Sequence, residues 1–355
     1  MPFRQDRMNS RERMKALFAG QAIDRVPLYP FILGFCARNV GYPIQAMYDA
    51  PAKSFEAQQR TLDQYGFDWG PMYGYASYGT WEFGGQIKMP AGGYEQAPMH
   101  TVFPVQSEAD AESLRLPDVK TAGSLPLAME FSRLQENVAT PITVVLGGPF
   151  TIAGNVCSVE KVCRWTLKKP ELVHRILQKA ADHIVEVVTY WAETFGSEQI
   201  FPQIWEPSAS NDILSPKQFE RFVFPRLLES SKKILDLGIK HILYHICGEQ
   251  NKNLPLWAQV PMGNPGICSF GREVDIRAAI DHVGKSSIIA GNISPSALQS
   301  GSPSEIYALC KDALIKGLKS PRGFMLMPGC EVPPNSPPHN VYVMRKAVND
   351  FGWYE

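Results

Sequence analysis

The sequence has no long apolar run, no net charge and no framework of paired cysteines, and each absence excludes a class of protein. No segment approaches the roughly 18 consecutive apolar residues of a membrane-spanning helix. The 35 basic and 35 acidic side chains give a formal net charge of zero, which argues against a nucleic-acid binder. Seven cysteines in 355 residues, without framework spacing, favour a reducing cytoplasm over a disulfide scaffold.

Short apolar segments alternate with segments of helical periodicity along the chain. Eight segments are strand-like, at residues 26–31, 67–70, 142–146, 199–204, 241–245, 266–270, 287–290 and 324–327. The clearest helices follow at 170–194, 215–237, 275–282 and 304–317, and a polar helix with Ser10 as its N-cap opens the chain at 11–20. Such alternation indicates βαβ units and a parallel sheet.

Eight strands in this alternation predict an α/β fold, a (β/α)8 TIM barrel with a short N-terminal helical extension. We expect one domain over residues 1–355, with residues 1–25 leading into the barrel. A doubly wound open sheet is the alternative fold. Against it, no Gly-x-Gly-x-x-Gly motif follows the first strand-like segment, although such folds commonly use that motif to bind dinucleotides.

A His-x-Cys motif and a remote cysteine are the most informative feature of the sequence. His245 and Cys247 end the fifth strand-like segment, and Cys330 follows the eighth. One imidazole and two thiolates suit Zn²⁺, and three protein ligands leave the open position that is typical of a catalytic zinc. In a barrel, residues after each strand share one rim, which brings these three together. The alternative interpretation is that both cysteines are ordinary buried thiols.

Other polar and aromatic residues fall near the same predicted rim. Glu206, after the fourth segment, is either a fourth zinc ligand or proton acceptor, or a carboxylate that caps a helix. Asn292, after the seventh, is a candidate cofactor-binding residue or a turn former. Tyr73 and Tyr75 belong to an aromatic loop that either lines a substrate or cofactor pocket or packs in the core.

Five motifs resemble the uroporphyrinogen decarboxylase superfamily, in matching order from about residue 11 to 350. They are an opening helix that runs to Asp-Arg-x-Pro at 24–27, Gly-Pro-Phe-Thr-Ile-Ala at 148–153, Leu-Ser-Pro-x-x-Phe at 214–219, Gly-Asn-Ile-Ser-Pro at 291–295 and Gly-Cys-Glu-Val-Pro at 329–333. The resemblance implies a (β/α)8 barrel, in agreement with the strand count.

Two activities of that superfamily remain open for this chain. The decarboxylases carry an Arg-Gln-Ala-Gly-Arg segment after the first strand and an essential Asp after the second. This chain has Leu-Gly-Phe-Cys-Ala-Arg at 33–38 and no carboxylate at 69–75. The corrinoid-dependent methyltransferases carry His-x-Cys and a remote Cys that bind zinc, and His245, Cys247 and Cys330 match that pattern.

The resemblance therefore favours a zinc- and corrinoid-dependent methyltransferase. It implies Zn²⁺ on this chain, a cobalamin-type corrinoid on a partner protein, and a small thiol as methyl donor or acceptor. One alternative is an O-demethylase component that takes methyl from a methoxylated aromatic. The others are uroporphyrinogen decarboxylase itself and a non-catalytic corrinoid- or tetrapyrrole-binding module.

Overall fold

Six parallel strands form the central sheet of the protein, in a computed structural model that describes residues 3–92, 95–138 and 140–354. A short antiparallel hairpin, β1 (Gln86–Lys88) and β2 (Met99–Val102), precedes them in the chain. The six are β3 (Ile142–Gly147), β4 (Ile200–Trp205), β5 (Leu243–Ile246), β6 (Gly266–Phe270), β7 (Ser287–Ile293) and β8 (Phe324–Pro328), which neighbour one another in chain order. Six predicted strands are thereby confirmed, with small shifts at their ends.

The first two predicted strands are extended segments without a regular ladder of hydrogen bonds. In the first, Tyr29 donates its amide to Leu326 of β8, and the Leu326 amide donates to Pro27. Prolines interrupt further pairing, because they have no N–H to donate. The second segment joins the first through the Asp68 amide, which donates to the Leu28 carbonyl. The two segments fill the remaining positions of the (β/α)8 barrel, six of whose eight positions are regular strands.

Helices surround this sheet and cover its outer face. In chain order they are α1 (Ser10–Phe18), α2 (Leu33–Val40), α3 (Ala46–Asp49), α4 (Pro51–Tyr65), α5 (Glu108–Ser113), α6 (Leu125–Asn137), α7 (Pro149–Cys157), α8 (Val159–Lys168), α9 (Pro170–Phe195), α10 (Pro216–Gln218), α11 (Phe224–Asp236), α12 (Leu254–Trp257), α13 (Ile276–Val283), α14 (Pro295–Ser300), α15 (Pro303–Gly317) and α16 (Pro338–Phe351). Among the described residues, none of these helices is long and apolar enough to cross a membrane.

Two helix predictions are wrong in detail. The N-cap of α1 is Asn9 and not Ser10, because Asn9 and Glu12 exchange hydrogen bonds in a capping box. The helix predicted over 215–237 is interrupted by a π-helical turn at Phe219–Val223. Pro225 has no amide to bond the carbonyl four residues back, and the wider turn instead lets the Phe224 amide reach the Phe219 carbonyl.

The side chains inside the barrel alternate with side chains that face the helices. Inward positions carry Phe201 and Trp205 on β4, Leu243 on β5 and Met327 on β8, which belong to one buried cluster. Outward positions such as Ile204 and Tyr244 belong to the larger cluster beneath the helices. This alternation decides which predicted site residues can meet inside the barrel.

Candidate metal centre

His245, Cys247 and Cys330 converge at the carboxyl-terminal rim of the barrel. The ligand atoms of the three residues all lie within 4.8 Å of one another. His245 is the third residue of β5, Cys247 follows that strand, and Cys330 lies two residues beyond β8. Parallel strands place their carboxyl ends at the same rim, which brings together residues that are more than eighty positions apart in sequence.

The His245 ring is fixed inside the barrel by buried neighbours. Its Nδ1 lies 3.0 Å from the Ser269 hydroxyl oxygen. Phe31 makes an edge contact with the ring at 5.1 Å between centroids, and Trp205 makes another at 6.3 Å. The ring is 2% exposed, and its Nε2 has no hydrogen-bond partner of good geometry within the described residues.

This geometry fits a tetrahedral metal ion. The two sulfur atoms lie 3.9 Å apart. This distance is close to the separation of about 3.8 Å between two thiolates bound to one tetrahedral Zn²⁺ at about 2.3 Å. The buried Nε2 of His245 is the orphaned polar atom of the site, and a metal ion would satisfy it. The three residues therefore form a donor set with the chemistry and the spacing of a three-ligand zinc site.

The two thiols shift each other's pKa in opposite directions. The hydrogen bond that Cys330 accepts from Cys247 holds the pKa of Cys330 well below its usual range, with His245 acting in the same direction. The same bond, together with burial, raises the pKa of Cys247. The lowered pKa of Cys330 favours the thiolate, the form that binds metal.

Glu206 faces the helices and not the barrel interior. Its carboxylate accepts hydrogen bonds from the amides of Phe150 and Thr151 at 2.8 and 2.7 Å, and from the Thr151 hydroxyl. It therefore caps the N-terminus of α7, as the second of the two interpretations from sequence predicted. Burial raises the pKa of Glu206 to about 7, opposed by these hydrogen bonds. A catalytic role for this residue stays a prediction.

Asn292 holds a turn beside the ligands. Its side-chain amide donates to the carbonyls of Gly271 and Val274. It also lines a cavity of about 640 Å³, together with Arg272 and Glu273. The negative charge of Glu273 contributes to the raised pKa of Cys247. Of the two roles predicted for Asn292, these contacts are those of a turn former. Its role in binding a cofactor stays a prediction.

Tyr73 and Tyr75 point toward the helical layer. The Tyr73 hydroxyl donates to the Tyr48 carbonyl at 2.7 Å, and the Tyr75 hydroxyl donates to Glu82 at 2.6 Å. The glycine between them faces the other way, since a Cβ on Gly74 would meet Val145 of the barrel interior. Both tyrosines pack in the core, so the structure gives their predicted cofactor-binding role no support.

Sequence reasoning missed three residues that contact His245 or its partner: Phe31, Ser269 and Met327. A signal for Ser269 was present, because it occupies an inward position of the otherwise apolar β6, and His245 is paired with it in register. Phe31 lay in a segment where prolines obscured the alternation of side chains. Met327 was hidden among apolar neighbours on β8.

Comparisons with known proteins find two relatives that are named as methyltransferases. Over 212 residues the chain is 29% identical to the methylated-thiol–coenzyme M methyltransferase of Methanosarcina mazei, a match that covers 58% of this chain and 54% of that protein. It is 27% identical over 241 residues to the methylcobamide:CoM methyltransferase MtaA of Methanosarcina barkeri, with 66% of each chain covered. The matched region thus spans about half to two thirds of these relatives.

A solved structure and a family model cover nearly the whole chain. The structure is a methyltransferase from Methanosarcina mazei, with a TM-score of 0.80, 23% identity, and coverage of 97% of this chain and 99% of that one. At this identity the likeness shows the fold alone. The model of the uroporphyrinogen decarboxylase (URO-D) family matches residues 9–351. On that match, the chain belongs to the URO-D family.

Proposed function

We propose that this protein is a zinc- and corrinoid-dependent methyltransferase that moves a methyl group between a cobalamin-type cofactor on a partner protein and a small thiol. The convergence of His245, Cys247 and Cys330 on one rim, with ligand atoms within 4.8 Å of one another and a buried His245 Nε2 that has no hydrogen-bond partner among the described residues, carries the proposal. The names of the two methanogen relatives support it.

Each part of the site has a definite task in such a transfer. His245 and the two cysteines hold the metal by three positions and leave a fourth for substrate. Bound Zn²⁺ supplies Lewis acidity, which keeps a coordinated thiol deprotonated at neutral pH. Phe31 and Trp205 form an apolar wall against the His245 ring and keep water from that side of the ligand.

The thiol is favoured over a methoxylated aromatic by the position of the aromatic loop. A methoxylated aromatic substrate was expected to bind among tyrosines of that loop that line a pocket. The hydroxyls of Tyr73, Tyr75 and Tyr78 instead bond core partners. Two thiolate ligands also give the metal high electron density, which suits a nucleophilic sulfur substrate.

The decarboxylase alternative lacks the groups that its substrate would need. A substrate with many carboxylates requires a basic pocket. Residues 33–37, where the decarboxylases carry their first motif, are the buried start of α2, and Arg38 is exposed at the surface. The neighbours of His245 are aromatic, hydroxyl and thioether groups.

Zinc content and methyl transfer test the proposal together. We expect about one Zn²⁺ per chain in the native protein, and release of Co(I) from methylcobalamin, visible in the absorption spectrum, when a suitable thiol is supplied. Cys247→Ala and Cys330→Ala should lose both properties. Cys268→Ala is the matched control, because Cys268 is a buried cysteine of β6 on the helix-facing side. Full zinc content in either ligand variant would refute the site.

A further inference from the structure

A chain of three buried side chains runs from the candidate metal site into the barrel. The His245 ring meets the Ser269 hydroxyl at 3.0 Å from Nδ1, and that hydroxyl lies 3.2 Å from the Met327 sulfur. Ser269 is fully buried and Met327 is 3% exposed. His245 and Ser269 are register partners on the neighbouring strands β5 and β6, and Met327 reaches the serine from β8, across the barrel interior.

A hydrogen bond between Ser269 and Met327 can run in one direction only. A thioether sulfur can only accept, and a serine hydroxyl has one proton to donate. When the Ser269 proton is directed at Met327, as the 3.2 Å contact allows, the serine oxygen is left to accept from His245, and Nδ1 carries the hydrogen. A neutral imidazole has only one N–H, so Nε2 then holds a lone pair. Nε2 is the atom that has no good hydrogen-bond partner among the described residues and lies beside the two sulfur atoms.

We propose that Ser269, oriented by Met327, is a positioning residue that holds His245 as the Nδ1–H tautomer and presents the Nε2 lone pair to the metal. This inference rests on the proposed function, because it assigns a role toward the same metal. A hydroxyl that could turn freely could also donate to Nδ1, which would place the hydrogen on Nε2 and block that ligand. The thioether favours the first arrangement, because it offers the serine proton an acceptor on the side away from Nδ1.

Partners of this kind have measurable effects on metal affinity. Removing the residue that holds the second nitrogen of a metal-ligating histidine typically weakens metal binding by about 10- to 100-fold. We expect a loss in this range for Ser269→Ala. Met327→Leu conserves volume and keeps the hydroxyl, but frees its proton to point at Nδ1. It should therefore weaken zinc binding as well, although the serine is still present.

The test combines zinc affinity with the tautomer of His245. Affinity is measured by competition with a chromophoric chelator. The tautomer is measured by ¹⁵N NMR of the imidazole, in the zinc-loaded protein and in the metal-free protein at about pH 8.5, above the usual pKa of imidazole. The matched control is Ser231→Ala. Ser231 is a fully buried serine whose hydroxyl pairs with Tyr244 on the outer side of β5, and its loss should leave affinity within about twofold, well short of that 10- to 100-fold range.

The outcomes separate this inference from the proposed function. In the native protein we expect a single Nδ1–H species with Nε2 free or metal-bound, and in both site variants a second, Nε2–H species in the metal-free state. Native tautomer and native affinity in Ser269→Ala would overturn the inference even if zinc binds. Retention of the single tautomer in Met327→Leu would overturn the part assigned to Met327. Failure of the native protein to bind zinc would instead overturn the proposed function, and the metal-free spectra would still report the tautomer.

Discussion

At the scale of single residues, Glu206 shows that a carboxylate placed just after a strand can lie on the helix-facing side of the barrel. It follows β4 at the correct rim, yet strand alternation turns it outward, directly after the inward Trp205. Its carboxylate is fully buried and accepts three hydrogen bonds from the first turn of α7. The sequence predicts that Glu206 lies at the end of a strand. It does not predict which side of the barrel the residue faces, because that depends on the exact residue at which the strand ends.

The Glu206→Gln variant distinguishes the two roles. The side-chain NH₂ group of the glutamine would face a backbone N–H that now donates to the carboxylate. Two donors cannot bond each other, so one buried hydrogen bond is lost. We expect the free energy of unfolding in urea to fall by about 1–3 kcal/mol, with zinc content unchanged. An unchanged stability together with a large loss of methyl transfer would show instead that the carboxylate is catalytic.

His183 gives the folded state a pH dependence that can be isolated. Burial lowers the pKa of His183 to about 3, and its Nε2 lies 2.8 Å from the Tyr78 hydroxyl oxygen, within hydrogen-bond distance. Below about pH 6.5 the unfolded chain therefore binds a proton that the native protein does not, and stability falls by about 1.4 kcal/mol for each pH unit. Glu206 acts in the opposite direction, because its raised pKa makes stability fall as pH rises between about 4.5 and 7.

A variant pair separates the two effects. Between pH 7.5 and pH 5.5, the free energy of unfolding should fall by about 1.4 kcal/mol more in the native protein than in His183→Gln. Urea unfolding at both pH values measures this difference. The difference between the two proteins removes the contribution of Glu206, which both share. Equal pH slopes in the two proteins would contradict a buried, neutral His183.

At the scale of elements, the strands that sequence predicted well are those with continuous apolar runs and free amides. Most of the six regular strands have both properties, although β4 contains Pro202 and β8 ends at Pro328, and β6 was predicted with its true ends. The first two extended segments failed because Pro27 and Pro30 remove donors and Pro71 ends the second. The pattern of apolar residues does not show these effects. A segment with prolines can keep the extended backbone of a strand and still lack the hydrogen bonds to its neighbours.

A buried network of charges holds these irregular segments in place. Asp68 accepts from Arg13 at 2.5 Å, from Arg25 at 2.7 Å and from the Leu28 amide at 2.8 Å. Asp24 and Asp6 complete the network with the same two arginines. The network joins α1 to both extended segments, and so replaces part of the ladder that the prolines remove.

Asp68→Asn should therefore be strongly destabilising. It leaves two buried guanidinium groups short of a charge partner, and such changes typically cost about 3–5 kcal/mol. The control is Glu160→Gln, which breaks an exposed pair with Arg164 and should change stability by less than about 1 kcal/mol. Urea unfolding of both variants measures the difference. A loss no larger than that of the control would mean that the network does not hold the segments.

At the scale of the whole molecule, the site was predictable because the fold makes distant residues neighbours. The convergence of His245, Cys247 and Cys330 was predicted from their residue types and from the strand ends, since the barrel places those ends on one rim, and the structure brings the three together. The residues that orient them were not found, because their roles depend on side-chain direction. The directions of the Tyr73 and Tyr75 side chains could not be predicted for the same reason, because an irregular loop has no regular alternation from which to read them.

The two ends of the described chain meet, which bears on whether the protein unfolds as one unit. The Val26 amide donates to the Gly352 carbonyl, the Tyr354 amide donates to the Asp24 carbonyl, and the first extended segment lies against β8. Because the first and last parts of the barrel are bonded to each other, neither is expected to unfold alone.

The predicted single domain over residues 1–355 should therefore give one calorimetric transition, with equal calorimetric and van't Hoff enthalpies. The candidate metal site lies at the rim, against the buried cluster inside the barrel and apart from the larger cluster beneath the helices, so a chelator should lower the midpoint by mass action without splitting the transition. For zinc at about 1,000 times its dissociation constant, the loss is about 4 kcal/mol. Two resolved transitions would show separate folding units, and loss of far-UV circular dichroism on chelation would show that the metal is needed for the fold.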